Sequence, residues 1–376
     1  AVALNVTAPG TLPVSGTTRF IAFAFRFLNY LAITVALLYV GNLAETALPR
    51  LKVIRTMSVL CLWTIALGCA GVLFPHFTFR SPVSALLPAS LADLGSVTII
   101  DLAQVQKVLG YSAPRPAAPY AYTNAWGNNV SLLLVWFLVG WWVSGRPGRR
   151  MVVGIALIIA IVPIVYTLDR GMWIGLILSV LYVALRLAAR GKVFAIGAIA
   201  ITLGLGTSIF IASPLGPLVT ERLAHGHSDA TRTSLANESV RLAKISPLIG
   251  FGTTRRTIGS AQTIAVGATK ECPKCGNRDI GSTGQIWLVL VAQGFLGAAL
   301  YFAYFLRSLW SYRRDRSAIG LAGTLVILLS LFYGLFYNAL IMPLAITMLS
   351  IALLWRNAMV RSETAGAQHG PATTAP

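Results

Sequence analysis

Apolar stretches of about 16–22 residues recur along this chain, and each is roughly long enough to cross the hydrocarbon core of a membrane. Backbone amides have no water to bond in hydrocarbon, so segments that cross it must be helices or strands of a closed barrel. The strict alternation of apolar and polar residues that barrel strands require is absent. With 56% hydrophobic and 11% charged residues, the chain is predicted to be an all-α, polytopic transmembrane helical bundle.

We predict nine spans in a single integral membrane domain that covers 1–376. The chain begins at Ala1 without an initiator methionine, so we expect upstream residues, with room for further spans. The predicted spans are at about 21–43, 56–74, 127–144, 151–168, 171–186, 193–212, 285–306, 317–335 and 339–355.

The formal net charge of +19 is concentrated in short connectors between spans. If the spans alternate in direction, all these connectors fall on the same side, which the positive-inside rule assigns to the cytoplasm. This pattern indicates a multi-pass membrane protein and argues against nucleic acid as a partner. The basic connectors are 50–55, 146–150, 186–192, 307–316 and 356–361.

The remaining connectors are predicted to be extracytoplasmic, and the site is expected among them. They include a first loop at 75–126, with a surface helix at about 91–107, and a hairpin at 169–171. A long catalytic loop at 213–284 contains short helices, one of them at about 231–245, stopped by Ser246-Pro247. A tail at 362–376 is predicted to be disordered.

Two arginines stand apart from the basic clusters and fall on the extracytoplasmic side. Arg170 lies in the short hairpin, so its guanidinium must sit at the bilayer surface, and Arg232 lies in the long loop. A guanidinium matches diphosphate oxygens in bidentate fashion, so the pair predicts a receptor for an anionic lipid head group such as polyprenyl diphosphate. The alternatives are a loop arginine bound to Asp169 and lipid phosphate, and a solvated arginine in a loop helix.

If a group bound through a diphosphate is transferred to a hydroxyl, a base must take the proton of that hydroxyl. His227, in the long loop, is our candidate, because a neutral imidazole near a diphosphate can take a proton; a helix-capping or surface histidine is the alternative. Glu238 is a second candidate, but it lies three residues before Arg241, which favours an ion pair on a helix surface. The motif Cys272-Pro-Lys-Cys275 is expected to form a disulfide outside the cytosol, with a zinc site as the alternative.

The order and spacing of these pieces between about 150 and 300 resemble the O-antigen ligase/polymerase family of bacterial membrane glycosyltransferases. That family has a Ser-Arg-Gly-like hairpin after a span, here Leu168-Asp169-Arg170-Gly171. It then has a loop arginine before a helix that ends in a Pro-Leu-x-Gly-x-Gly turn, here Arg232 and Pro247-Leu248-Ile249-Gly250-Phe251-Gly252. The next span starts with a polar motif, here Ser282-Thr283-Gly284-Gln285, and contains Gly-x-x-Gly, here Gly294-Phe295-Leu296-Gly297.

One departure concerns the base. The family commonly has His-Asn at the start of that last span, and the matching positions here are Thr283 and Gly284, neither of which can act as a base. We therefore assign this role to His227 and expect Gln285 to position the acceptor.

The resemblance implies transfer of a glycan from a polyprenyl diphosphate carrier to a hydroxyl of a glycan or lipid acceptor, as in a polysaccharide polymerase or ligase of the cell envelope. The catalytic residues would be Arg170, Arg232 and His227, and no metal or cofactor is expected. Membrane lipid is an expected partner. The predicted substrate-binding residues are Asp169, Thr283, Gln285 and Arg241.

Two other classes of function fit the spans. A flippase or other transporter of lipid-linked oligosaccharides would need a central polar cavity open to both sides, but the spans contain few interior charges. A membrane scaffold without enzymatic activity would use the loops as docking surfaces and would depend on neither arginine.

Overall fold

A computed structural model of the chain describes residues 8–12, 16–81, 99–192, 215–224, 227–257 and 279–368, together with a few isolated residues between these ranges. Within these ranges the chain is mainly helical, and seven helices are long and apolar enough to cross a membrane. The helices predicted as spans are α1 (Gly16–Asn42), α2 (Arg50–Leu73), α3 (Thr123–Phe137, extended by one π-helical turn, Leu138–Val143), α4 (Pro147–Tyr166), α5 (Arg170–Ala188), α8 (Gln285–Tyr312), α9 (Ala318–Tyr333) and α10 (Met342–Gln368).

The prediction of a helical bundle with several candidate membrane spans is confirmed. Eight of the nine predicted spans coincide with helices of the described ranges, although α9 has only 16 residues. The remaining predicted span, 193–212, falls largely outside the described residues. The last helix reaches Gln368 and so includes the first residues of the predicted tail, whereas 369–376 lie outside the described residues.

Helix α3 forms the centre of the bundle and packs against α2, α9 and α10. This helix contributes three large side chains that are fully buried inside the bundle, those of Trp126, Trp136 and Phe137. Each indole has a hydrogen-bond partner, as burial of its N–H requires: Trp136 Nε1 donates to Ser350 Oγ at 2.8 Å, and Trp126 Nε1 to the carbonyl of Thr64 at 3.0 Å. The middle of the bundle is therefore filled with large apolar side chains.

Four of the predicted basic connectors meet at one end of the bundle, here named the basic end. Arg50 donates to Asn357 at 2.8 Å, and Asn357 donates to the carboxylate of Asp315 at 2.8 Å. Arg186 and Arg190, at the end of α5, donate to backbone carbonyls in the 313–316 turn. Because helices joined by short loops alternate in direction, the predicted extracytoplasmic segments lie at the opposite end.

The predicted surface helix at 91–107 is wrong where it can be compared, because 99–107 is extended. Residues 103–107 read Ala-Gln-Val-Gln-Lys, an alternation typical of a strand, and Gly110, with φ +82°, allows the chain to turn back. The strands form three antiparallel pairs: β1 (Thr78–Arg80) with β2 (Ile99–Asp101), β3 (Ala103–Lys107) with β4 (Ser112–Pro116), and β5 (Arg255–Arg256) with β6 (Asp279–Ile280).

The long loop contains two short helices among its described residues, as predicted. These are α6 (Leu215–Ala224) and α7 (His227–Ile245). The expected end of α7 at Ser246-Pro247 is confirmed, and its start lies four residues before the predicted one. Leu242 and Ala243 of α7 are fully buried against the first turns of α8.

The turn after α7 and the glycine motif in α8 form one structural unit. Gly294 has φ +69°, so α8 is interrupted there and its neighbouring peptide groups lose their helical partners. The turn supplies replacements: the amides of Phe251 and Gly252 donate to the carbonyls of Val291 and Ala292 at 2.8 Å, and the amide of Phe295 donates to the carbonyl of Pro247 at 2.7 Å. A Cβ on Gly294 would lie 2.4 Å from the Pro247 oxygen. The turn therefore fastens α7 to α8.

Replacement of Gly294 with alanine should break this contact. We expect Gly294→Ala to lower the free energy of unfolding by at least about 2 kcal/mol, since both the positive φ and the close approach exclude a Cβ. Gly154→Ala is the matched control, because a Cβ at Gly154 would meet nothing within 4 Å. Thermal unfolding of the purified variants in detergent measures both, and equal stability of the two variants would contradict the prediction.

Candidate functional site

A cavity of about 600 Å³ opens at the end of the bundle opposite the basic end. Its walls come from the first loop, the start of α5, the helices α6 and α7, the start of α8 and the turn after α9. These segments are far apart in sequence and meet because the spans alternate in direction. We name it the outer cavity.

Four of the predicted site residues line the outer cavity together. They are Asp169 and Arg170 at the start of α5, Arg232 in α7, and Thr283 just before α8. The Thr283 hydroxyl is buried and has no hydrogen-bond partner among the described residues. The two arginines that the sequence singled out thus face a common space.

Two further arginines, not predicted from the sequence, line the same cavity. Arg115 in β4 is 6% exposed; it donates to the carbonyl of Thr167 at 2.5 Å and to the side chains of Asn124 and Gln106. Arg222 in α6 is 8% exposed and donates to the carbonyl of Leu168 at 2.9 Å. Both hold the end of the α4–α5 hairpin while their charge faces the cavity.

The single carboxylate of the described cavity wall belongs to Asp169, which is buried at the start of α5. Its Oδ1 accepts the backbone amides of Gly171 and Met172 at 3.1 and 3.4 Å, which caps the helix. The hydroxyl of Tyr337 donates to the same oxygen. Gly171 permits this approach, since a Cβ there would lie 2.2 Å from the Tyr337 hydroxyl. Tyr337 thereby connects the turn after α9 to the arginine-bearing hairpin.

The pKa values of the cavity residues are shifted by burial and by the arginines that surround the carboxylate of Asp169. Burial raises the pKa of Asp169 above its ordinary value, while the Tyr337 hydrogen bond and the charge of Arg115 oppose that rise. Burial lowers the pKa of Arg115 to about 10; the charge of Asp169 opposes that change, and those of Arg222 and Arg232 add to it. Among the described residues, four guanidiniums and one carboxylate line the cavity, so basic side chains predominate in its described wall, as suits an anion site.

One side of the cavity is apolar and continues onto the outer surface of a span. Trp287, Leu335 and Ile174 line it, and Ile174 is 47% exposed. Ile174 begins a stripe of exposed apolar side chains that runs down α5 through Ile177 and Leu181. A lipid-facing surface of this kind is normal for a transmembrane helix. The cavity therefore combines a cationic wall with an opening towards the hydrocarbon.

Two of the predicted substrate-binding residues do not line the outer cavity. The side chain of Gln285 is 1% exposed and used within the protein, since its Nε2 donates to the Tyr30 hydroxyl at 2.8 Å and its Oε1 accepts the amide of Ala339 at 3.0 Å. These contacts hold the 337–339 turn on α8. Since both polar atoms of the side chain already have partners within the protein, Gln285 is not placed to bind an acceptor. Arg241 is paired with Glu238 at 2.8 Å, which confirms the expected ion pair.

The remaining candidates cannot be compared with the structure. The backbone of His227 forms the first residue of α7, but its side chain lies outside the described residues. Cys272 and Cys275 also lie outside them, so the base and the disulfide stay predictions.

The sequence contains only a weak signal for Arg115 and Tyr337, which were not predicted as site residues. Arg115 interrupts a proline-rich stretch at 113–120, and Tyr337 lies in the tight turn between the last two spans. Neither position has a spacing that links it to Arg170. Their convergence depends on helix packing: the Gly171-x-x-x-Gly175 spacing on α5 removes side-chain bulk beneath the hydroxyls of Tyr337 and Tyr333.

Comparison with models of known protein families found no match for this chain. Comparison with curated protein sequences also found none. The function must therefore be argued from the geometry of the cavity and from the sequence motifs.

The contact between Tyr337 and Asp169 predicts a pH effect. Tyr337→Phe removes a hydrogen bond that favours the ionised carboxylate, so the pKa of Asp169 should rise further. A hydrogen bond to a charged group is worth about 1.5–3 kcal/mol, so the rise should be large enough to measure.

Infrared absorption of the protonated carboxyl, followed against pH, measures this change. Asp169→Asn identifies the band, and Tyr122→Phe is the control, because Tyr122 is 62% exposed and does not line the cavity. An unchanged midpoint in Tyr337→Phe would show that the phenol does not stabilise the carboxylate.

Proposed function

We propose that the chain is a membrane glycosyltransferase that moves a glycan from a polyprenyl diphosphate carrier to the hydroxyl of a glycan or lipid acceptor, as a polysaccharide polymerase or ligase does. The observation that carries this proposal is the outer cavity, in which Arg170, Arg232, Arg115 and Arg222 share a space with an apolar, lipid-facing wall. The motifs shared with the O-antigen ligase/polymerase family support it independently.

A polyprenyl diphosphate combines a negatively charged head group with a long apolar chain, and the lining of the cavity suits both. Its diphosphate carries several negative oxygens, which guanidiniums bind in bidentate fashion. Its long apolar chain has to stay in the hydrocarbon while the diphosphate is bound. A site with arginines on one side and Ile174, Trp287 and Leu335 on the other accommodates both parts at once.

The reaction follows from this placement. The acceptor oxygen attacks the anomeric carbon of the donor sugar, and the bond from that carbon to the diphosphate oxygen breaks, its electron pair passing to the diphosphate. The charge that grows on the leaving group is stabilised by Arg170, in the first turn of α5, and by Arg232, in α7, since both line the cavity. In-line attack inverts the anomeric centre. The arginines supply the stabilisation for which other enzymes use a metal ion.

The proton of the acceptor hydroxyl needs a base. His227 keeps this role in the proposal, because it is five residues before Arg232 at the start of the helix that lines the cavity. Asp169 is less suited, since its Oδ1 accepts Tyr337 and two backbone amides and its Oδ2, which has no hydrogen-bond partner among the described residues, is buried beside Gly127 of α3. We assign Asp169 to holding the arginine-bearing hairpin.

The transporter alternative predicts a central polar passage open at both ends. In the described part of the bundle, Trp126, Trp136 and Phe137 fill the centre, and the outer cavity opens at one end. This favours chemistry at the surface of the membrane over movement through the protein.

The decisive experiment is a transfer assay with the purified full chain, a polyprenyl diphosphate-linked oligosaccharide and a hydroxyl acceptor, in buffer that contains EDTA. Arg170→Ala and Arg232→Ala should each lower the rate roughly 100- to 1,000-fold, since each removes one fixed donor from the leaving group. His227→Ala should lower the rate at saturating donor without weakening donor binding.

Arg256→Ala is the matched control, because Arg256 lies in the same loop, is exposed and is paired with Asp279 at 2.9 Å. It should transfer at the wild-type rate. Equal rates for all variants would show that Arg170 and Arg232 do not stabilise the leaving diphosphate. If the wild type transfers nothing but moves a fluorescent lipid-linked sugar between the leaflets of liposomes, the transporter function replaces the proposal.

A further inference from the structure

A second large groove lies at the basic end, remote from the outer cavity. Its volume is about 770 Å³, and it runs between α5 and α8. Both helices pack against α9, which leaves a space between them. Three arginines line it: Arg186 from α5, and Arg307 and Arg313 from the end of α8. We name it the inner groove.

The arginines of the inner groove differ from three other arginines at this end, which pair with carboxylates. Arg50 and Arg356 pair with Glu45 at 3.0 and 2.9 Å, and Arg361 pairs with Asp315 at 2.5 Å. No carboxylate among the described residues lines the groove itself. The nearby Asp315 is buried and bound to α10. Positive charge therefore accumulates in the groove without an acidic counterpart.

Contacts within the protein preorganise two of these guanidiniums. Arg186 donates to the carbonyls of Arg313 and Asp315 at 2.5 and 2.7 Å, so it ties one wall to the other. Arg313 stacks on the Trp310 ring at 3.5 Å and donates to the Trp310 carbonyl at 2.6 Å. Since these contacts restrict side-chain rotation, an anion that binds here loses less rotamer entropy in ordering the site.

The depth of the groove matches the boundary between hydrocarbon and head groups. Beyond the interruption at Gly294, helix α8 continues from Phe295 to Tyr312, a length of about 27 Å that is close to the about 30 Å of hydrocarbon. Its last turns extend into the head-group region, where an exposed tryptophan such as Trp310 is typical. Ala303 and Leu306 line the groove on the hydrocarbon side of Arg307, and Arg313 follows the end of α8.

From this combination we infer that the inner groove binds an anionic phospholipid of the membrane leaflet at the basic end. The head-group phosphate lies on Arg307 and Arg313, and the acyl chains lie along Ala303 and Leu306. Basic pockets between transmembrane helices are suited to such head groups. The inference does not depend on the proposed glycosyl transfer, because it concerns a different groove at the opposite end.

Lipid retention by the purified full chain tests this inference. The protein in mild detergent is given an equal mixture of phosphatidylglycerol and phosphatidylcholine, and native mass spectrometry counts the lipid that stays bound. The wild type should retain phosphatidylglycerol in preference to phosphatidylcholine. Arg307→Gln with Arg313→Gln should lower that retention roughly tenfold to thirtyfold, since both head-group contacts are lost.

Arg314→Gln with Arg316→Gln is the matched control, with the same loss of charge from the same turn but outside the groove. It should bind lipid as the wild type does. If the groove double variant does not fold, Arg307→Gln alone takes its place, because Arg307 is exposed. Equal losses in groove and control variants, or equal retention of both lipids, would overturn the inference. A wild type that retains no lipid would also overturn the inference. In that case the groove would be covered by another part of the chain or by a second copy.

Discussion

The buried carboxylate of Asp169 is the group on which the outer cavity depends. It caps α5 through two backbone amides and accepts the hydroxyl of Tyr337. A carboxylate removed from water is stable only when hydrogen bonds and opposite charges replace the lost solvation. The cluster of arginines around it supplies that charge, and it exceeds what one carboxylate can neutralise. The same arrangement that stabilises the hairpin thus leaves an excess of positive charge facing the cavity.

The long loop is positioned by a second constraint, the interruption of α8 at Gly294. Peptide groups released inside a helix at membrane depth must find partners, because no water is available there. The turn at 247–252 provides them, and Gly250 and Gly294 allow the two backbones to approach. Since α7 is fastened at its C-terminal end in this way, its other end presents Arg232 to the cavity. The Pro-Leu-x-Gly-x-Gly and Gly-x-x-Gly motifs are thereby explained as two halves of one contact.

The two ends of the bundle use arginine differently. At the basic end some arginines pair with carboxylates and others, including Arg186 and Arg313 of the inner groove, donate to backbone carbonyls, so these contacts hold loops together. At the outer cavity Arg115 and Arg222 also donate to carbonyls, and they line the same space as Arg170 and Arg232. A polar site between a charged wall and lipid-facing side chains suits an amphiphilic ligand. The convergence of four arginines on one cavity therefore indicates a binding role better than net charge does.

The sequence by itself determined the helical class, the position of eight helices and the clustering of basic connectors, because span length and charge bias act locally and directly. It also identified Arg170, Arg232, Asp169 and Thr283, whose positions follow from hairpin and motif spacing. Tertiary structure alone decided that Arg115, Arg222 and Tyr337 join them, and that Gln285 and Arg241 do not. The strand at 103–107 differs, because its local alternation is visible in the sequence. Contacts between segments 50 or more residues apart depend on how helices pack, and no local periodicity records that packing.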